Sequence, residues 1–168
     1  AGIAANTNVS CNGGTNGTAT VSATGGTGNY SYAWDTTPVQ SGATATNLAA
    51  GSYTATVTDV NGCTATATVS ITEPAVLTAG STLAQAVLCT GGTATVTVTA
   101  IGGTQPYSGT GTFTVTAGTY SYTVTDANGC SSVTTITVTQ PTALSASSTV
   151  TTAVSCNGGT ATVTVTGA

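Results

Sequence analysis

The chain reads as all-β, a series of tandem immunoglobulin-like β-sandwich repeats in an extended array. Three observations lead there. Apolar residues alternate with Thr and Ser at a period of two, the mark of a strand with one buried face. A set of landmarks recurs along the chain. Clusters of Gly and Pro divide it into short runs, spaced as the strands of a sandwich are.

The landmarks set the units. Cys11-Asn12-Gly13-Gly14, Cys89-Thr90-Gly91-Gly92 and Cys156-Asn157-Gly158-Gly159 form one series. Thr58-Asp59-Val60-Asn61-Gly62-Cys63 is repeated by Thr125-Asp126-Ala127-Asn128-Gly129-Cys130, and Glu73-Pro74 by Gln140-Pro141. Cys63 to Cys130, Pro74 to Pro141 and Cys89 to Cys156 are each 67 residues apart, whereas Cys11 to Cys89 is 78. The second unit is therefore shorter, and its loss falls where the first carries Trp34. Residues 1–74 form the first repeat, 75–141 a shorter second and 142–168 the incomplete start of a third. Together with a start that has no basic or long apolar run, this is the expectation for a segment of a longer exported chain.

Six strands are expected in the first repeat. Strand A runs from Ile3 to Ser10. In strand B, Thr18 to Thr24, Ala19, Val21 and Ala23 face inward. Strand C, Tyr30 to Asp35, places Tyr30, Tyr32 and Trp34 on one face, as core packing rather than a platform for a ligand. Strand E spans Ala43 to Leu48. Strand F, Ser52 to Asp59, alternates Tyr53, Ala55 and Val57 with Thr. Asp59-Val60-Asn61-Gly62 then supplies a turn, with Gly free to take positive φ. Strand G, Cys63 to Thr72, resumes the alternation at Cys63, Ala65, Ala67, Val69 and Ile71. Thr suits the outer face because its β-branch favours extended backbone while its hydroxyl meets water.

Composition removes whole classes of function. Among 168 residues there is no Lys, Arg or His, and the only acidic groups are Asp35, Asp59, Glu73 and Asp126. Without cations the chain has no electrostatic hold on phosphates or anionic membrane surfaces, so nucleic acid is not expected as a partner, and because no window of ~20 residues escapes interruption by Thr, Ser, Asn or Gly, direct membrane insertion is not expected either. No base, nucleophile pair or metal cluster can be assembled, so no catalysis, cofactor or metal is expected. The Asp59 and Asp126 turns offer too few oxygens for calcium. Positive mean hydropathy argues against disorder.

The string Ser10-Cys11-Asn12-Gly13-Gly14, the segment Gly25 to Trp34 with its Tyr-Ser-Tyr-Ala-Trp, Asn47 to Tyr53, and Thr58 to Cys63 resemble the SprB repeat. This repeat occurs in very large surface adhesins of gliding Bacteroidetes and in related exported proteins. Pro106 to Val115 is similar to a shorter variant of it, although the second unit lacks the Trp. The resemblance implies an extracellular filament or stalk on the bacterial surface, exported by the type IX route and, in the gliding adhesins, moved along the cell. Asp35-Thr36-Thr37 is similar to the O-glycosylation motif of Bacteroidetes, which makes Thr36 a candidate acceptor.

Five cysteines, Cys11, Cys63, Cys89, Cys130 and Cys156, without His or Cys-x-x-Cys, point to disulfides in an oxidising compartment. Two pairings stand open. Each repeat closes on itself, Cys11 with Cys63 and Cys89 with Cys130. Alternatively Cys11 bonds Cys130 across a junction, and Cys63, Cys89 and Cys156 await neighbours elsewhere. The first pairing must contend with geometry. The A to B and F to G connections of a sandwich lie about 20 Å apart for strands of ~6 residues, and a disulfide needs Cα atoms within about 7 Å.

The expected function is a structural and adhesive repeat, with neighbouring repeats as partners. Unblunted edge strands are expected to allow lateral self-association into fibres. A surface polysaccharide or abiotic surface is the expected external contact, through many weak sites. The alternative is binding to ice or crystalline polysaccharide through ordered rows such as Thr93, Thr95, Thr97 and Thr99, whose alternate residues repeat every ~6.6 Å.

Overall fold

The computed structural model describes residues 1–154, 156, 158 and 160–167. Asn157 and Gly159 of the third Cys-x-Gly-Gly turn, and Ala168 at the end of the third expected unit, lie outside the described residues. Every regular element among the described residues is a strand, and the fold is all-β. The first repeat contributes β1 (Gly2–Thr7), β2 (Gly17–Ser22), β3 (Ser31–Trp34), β4 (Thr44–Leu48), β5 (Gly51–Thr58) and β6 (Thr64–Ile71). The second contributes β7 (Thr78–Gln85), β8 (Ala94–Ile101), β9 (Gly111–Val115), β10 (Gly118–Thr125) and β11 (Ser131–Val138), followed by β12 (Ala146–Thr152) and β13 (Thr162–Gly167).

The first six strands form two three-stranded sheets, in the orders β1-β2-β4 and β3-β5-β6. These are the A-B-E and C-F-G groupings of an immunoglobulin-like sandwich. Ala19, Val21, Trp34, Ala45, Leu48, Ala55, Val57, Val69 and Ile71 meet between the sheets as one buried cluster, with Val9 closing its end. Outward hydroxyls pair across strands: Thr7 with Thr18 at 2.8 Å, Thr20 with Thr44 at 2.9 Å and Thr54 with Thr68 at 3.3 Å. The Thr-rich faces thus bond partly to themselves, which limits how many hydroxyls stand free for a lattice.

Several details differ from the sequence expectation. β1 stops at Thr7 because the next residues turn to the end of β6: the Asn8 side chain accepts from the Thr72 N–H at 3.0 Å, and the Val9 N–H donates to the Thr72 carbonyl at 2.9 Å. Tyr30 and Tyr32 are only half-buried, packed against the edge of the cluster that encloses Trp34. Cys63 and Ala65, expected on the core face, are exposed. They lie past the ends of β1 and β2, where an open pocket of about 160 Å³ is lined by Ala1, Ala23, Thr24, Cys63 and Ala65.

The shortening of the second repeat has a structural counterpart. Its sheets are β7-β8-β9 and β10-β11, and strand C shrinks to an isolated bridge. Ser108 and Thr125 exchange backbone hydrogen bonds of 2.8 and 3.1 Å. The first repeat has the equivalent pair, Ser31 with Thr58, but continues it to Trp34 with Ala55. In the second, Gly109 takes φ +80 and a Cβ there would run into the Thr123 backbone, so the chain turns away before a Trp position is reached.

Packing gathers the chain into two compact units. One comprises Ala1–Ser81, Val98–Gly111 and Ser121–Thr135, and holds the first sandwich together with the turns of Cys11 and Cys130. The other comprises Thr82–Thr97, Thr112–Tyr120 and Ile136–Ala168; its buried residues include Val87, Ala94, Val96 and Val138. In that second unit β12 pairs antiparallel with β13, and the side chains of both strands are exposed.

Candidate functional site

The chemistry of this chain concentrates where two turns of the first compact unit meet. The first turn joins β1 to β2. Gly13 takes φ +72 and lets the Gly14 N–H reach the Cys11 carbonyl at 3.0 Å. The Gly13 N–H donates to Glu73 Oε2 at 2.6 Å, and Asn12 Nδ2 donates to the Pro74 carbonyl at 3.0 Å. Asn16 fastens the same loop by accepting from the Ser10 N–H at 3.0 Å. Cys11 is therefore held at the sandwich end where β6 finishes.

The second turn joins β10 to β11 and is built on Asp126. Its Oδ1 accepts from the N–H groups of Asn128 and Cys130, both at 2.9 Å, and its Oδ2 accepts from the Thr104 N–H at 2.9 Å. Gly129, at φ +82, completes the turn. Gly103 matters for a different reason: a Cβ on it would meet Asp126 Oδ2 at 2.7 Å and the Leu77 side chain at 3.2 Å. Its N–H donates to the Ala75 carbonyl at 2.8 Å, which ties the linker between the repeats to this turn.

Cys11 and Cys130 are joined by a disulfide, with Cα atoms 5.7 Å apart and 119 residues between them in sequence. Asn128 Nδ2 supports it by donating to the Ser10 carbonyl at 2.8 Å and to Thr104 Oγ1 at 3.0 Å. The pairing of Cys11 with Cys63 is not formed. Cys11 lies near the end of β6 and Cys63 before its start, and eight extended residues separate the two ends, about 26 Å at 3.3 Å each. Cys63, Cys89 and Cys156 carry free, exposed thiols.

The two turn aspartates are the groups whose acidity the fold alters. The Thr27 N–H, then that of Cys63, hold Asp59 below the ordinary carboxylate range, with Asn61 adding to them against a smaller effect of burial. Asp126 is lowered likewise, first by the Thr104 N–H; desolvation opposes this, and the N–H groups of Cys130, Asn128 and Gly129 add to the lowering. A folded pKa below the unfolded one means the turns stabilise the fold above about pH 4, and this contribution is lost as pH falls through the lowered folded values. The melting temperature is expected to fall on acidification, and less steeply in Asp126→Asn. Superimposable pH profiles for the two proteins would count against this role.

Thr36 lies in a turn after β3. Its hydroxyl donates to the Pro38 carbonyl at 2.8 Å and accepts from the Gln40 N–H at 3.1 Å, while Asp35 Oδ1 accepts from the Thr54 N–H at 2.8 Å. Attaching a glycan there would replace the proton that holds the turn. Of the Thr row, Thr95 and Thr97 are half-buried on β8, and Thr93 and Thr99 are exposed. Among the described residues no three His, Cys, Asp or Glu gather to hold a metal.

Sequence reasoning missed the role of Glu73 and Gln140. They read only as landmarks of the repeat, yet each caps a Cys-x-Gly-Gly turn through a side-chain oxygen, Gln140 Oε1 accepting from the Gly91 N–H at 2.9 Å. The usable signal was that an acid and an amide exchange at equivalent positions, which conserves an acceptor and discards the charge. Compared with known families, residues 3–38 match the SprB repeat. None of the curated proteins compared matches the chain.

Proposed function

Because residues 3–38 carry an SprB repeat, a repeat of the cell-surface adhesin type, we propose that this chain is a structural and adhesive segment of a large filament or stalk exported to the bacterial surface. The family match carries the reading. The Cys11–Cys130 disulfide supports it, since such bonds persist in oxidising compartments outside the cytosol. In its finer form the proposal places the filament among gliding-motility adhesins exported by the type IX route.

The work of such a segment is mechanical and not catalytic. A repeat of about 67 residues rich in Ala and Thr buries little apolar surface, and a covalent staple compensates for the small core. Neighbouring repeats are its first partners. Exposed strands with no Lys or Arg on them provide for lateral association, and many weak contacts on one tether provide avidity for polysaccharide or an abiotic surface.

An antibody raised against the chain tests the location. Intact producing cells are expected to label at their surface, and the label to disappear after brief treatment with a protease that cuts at aromatic residues. Label found only after permeabilisation would overturn the proposal. Retention of the purified chain on ice or crystalline polysaccharide, with no surface label, would favour the Thr-row reading instead.

A further inference from the structure

The first repeat carries a loop, residues 35–43 between β3 and β4, that the second repeat lacks; there only Gly109 and Thr110 stand between the Ser108 bridge and β9. The loop is tied down along its length. The Asp35 N–H donates to the Thr54 carbonyl at 3.1 Å, and Asp35 Oδ1 accepts from the Thr54 N–H at 2.8 Å. The Trp34 N–H donates to the Gln40 carbonyl at 2.9 Å. The Gln40 side chain then holds the Thr46 backbone twice, Oε1 accepting from its N–H and Nε2 donating to its carbonyl, both at 2.9 Å. Thr46 needs that partner because β4 bulges there. Gly17 pairs with Leu48 and Ala19 with Ala45, so Thr46 and Asn47 together oppose Thr18 alone. Asn47 takes φ +55 at the bulge, and its side chain is exposed.

Asp35, Thr37, Asn47 and Tyr53 line an open groove of about 410 Å³ beside this loop, a size found among small-ligand sites. Among the described residues, Asp35 Oδ2, the Asn47 amide and the Thr37 hydroxyl have no protein partner, whereas the neighbouring Thr36 hydroxyl and Gln40 amide are engaged. Tyr53 adds a half-buried ring whose hydroxyl already donates to the Ala49 carbonyl at 3.2 Å. The groove belongs to neither junction of the repeat. At its end of the sandwich the Cys11 turn already meets the Cys130 turn, and neither turn lines it. The Cys63 turn lies at the opposite end, where β5 finishes and β6 begins.

We propose that this groove binds a sugar unit of a neutral polysaccharide. Neighbouring hydroxyls on a sugar ring both donate and accept. The free oxygen of Asp35 takes the proton of one, the Asn47 amide donates to and accepts from the next, and the Tyr53 ring offers an apolar surface to the C–H side of the sugar. The ligand is neutral because the groove holds a carboxylate and the chain has no cation to offset an acidic sugar. Walls already fixed by hydrogen bonds lose little freedom on binding. A groove this open gives millimolar affinity, and strength comes from its recurrence along a filament. The inference deepens the polysaccharide contact proposed above and rests on that reading.

Titration of the 15N-labelled chain with cellohexaose, xylohexaose and laminarihexaose, and with trigalacturonic acid as the charged control, tests it by NMR. At least one neutral probe is expected to shift the Asn47 side-chain amide and the backbone signals of Asp35, Thr37 and Tyr53, and trigalacturonic acid to leave them in place. Asn47→Gly and Asp35→Asn are each expected to weaken binding about fivefold, the worth of one hydrogen bond. Both keep the loop, since Gly accepts φ +55 and Asn retains an acceptor for the Thr54 N–H. The indole N–H signal of buried Trp34 reports that the core is intact. Undiminished affinity in Asn47→Gly, equal shifts with trigalacturonic acid, shifts spread along the Thr faces, or no shift with any neutral probe would overturn the inference. Each of those results leaves the surface location of the chain standing. Binding at the groove by a chain whose antibody labels only permeabilised cells would instead keep the groove and sink the filament.

Discussion

Trp34→Ala is expected to destabilise the first sandwich by about 3–5 kcal/mol, the cost of removing a large aromatic side chain from a packed core. Trp34 is 1% exposed and sits on the short strand β3, facing residues of both sheets. Its Nε1 donates to the Gly42 carbonyl at 3.0 Å. Alanine would therefore leave a cavity and strip one backbone acceptor of its partner. With a urea dependence of about 1–3 kcal/mol/M, the loss shifts the unfolding midpoint by a molar or more, read by circular dichroism because this is the chain's single Trp. Trp34→Phe separates the two contributions. It keeps much of the apolar volume but loses the hydrogen bond, so its midpoint is expected between those of wild type and alanine. An unchanged midpoint in Trp34→Ala would show that β3 is not part of the cooperative core.

Cys130→Ser is expected to cost about 5 kcal/mol in the chain-entropy account of disulfides, since the bond closes a loop of 119 residues. Longer loops lose more unfolded-state freedom when closed, and this one embraces most of two repeats. Reduction of the wild type should reproduce the effect, with denaturation followed in the presence and absence of a thiol reductant. Cys63→Ser is the control. Its thiol is free and exposed, and such a surface change ordinarily stays within about 0.5 kcal/mol. Equal stability of the oxidised and reduced chains would remove the staple from any mechanical account of the filament.

The two predictions differ in how far they were readable in advance. Trp34 was legible as core because strand periodicity and a turn on either side place it on an inward face. The absence of its counterpart was legible too, as a shortening between Gly102 and Gly118. The bridge at Ser108 and the turn at Gly109 that replace strand C were not. A backbone that leaves a sheet at φ +80 looks, in sequence, like any other Gly in a Ser-Gly-Thr run. Exposure of Cys63 and Ala65 was missed for a related reason. Alternation says which face a residue is on, but not whether a facing sheet reaches that far.

From its residues alone, the chain determined an all-β sandwich repeat, the order of its strands and the turns between them, because a period of two, β-branching and glycine's positive φ act over a few neighbouring residues. The pairing of Cys11 with Cys130 in place of Cys63 was decided only by the tertiary structure. That choice depends on which strand ends meet in space, across 119 residues and the linker held at Gly103, and no local rule reaches so far.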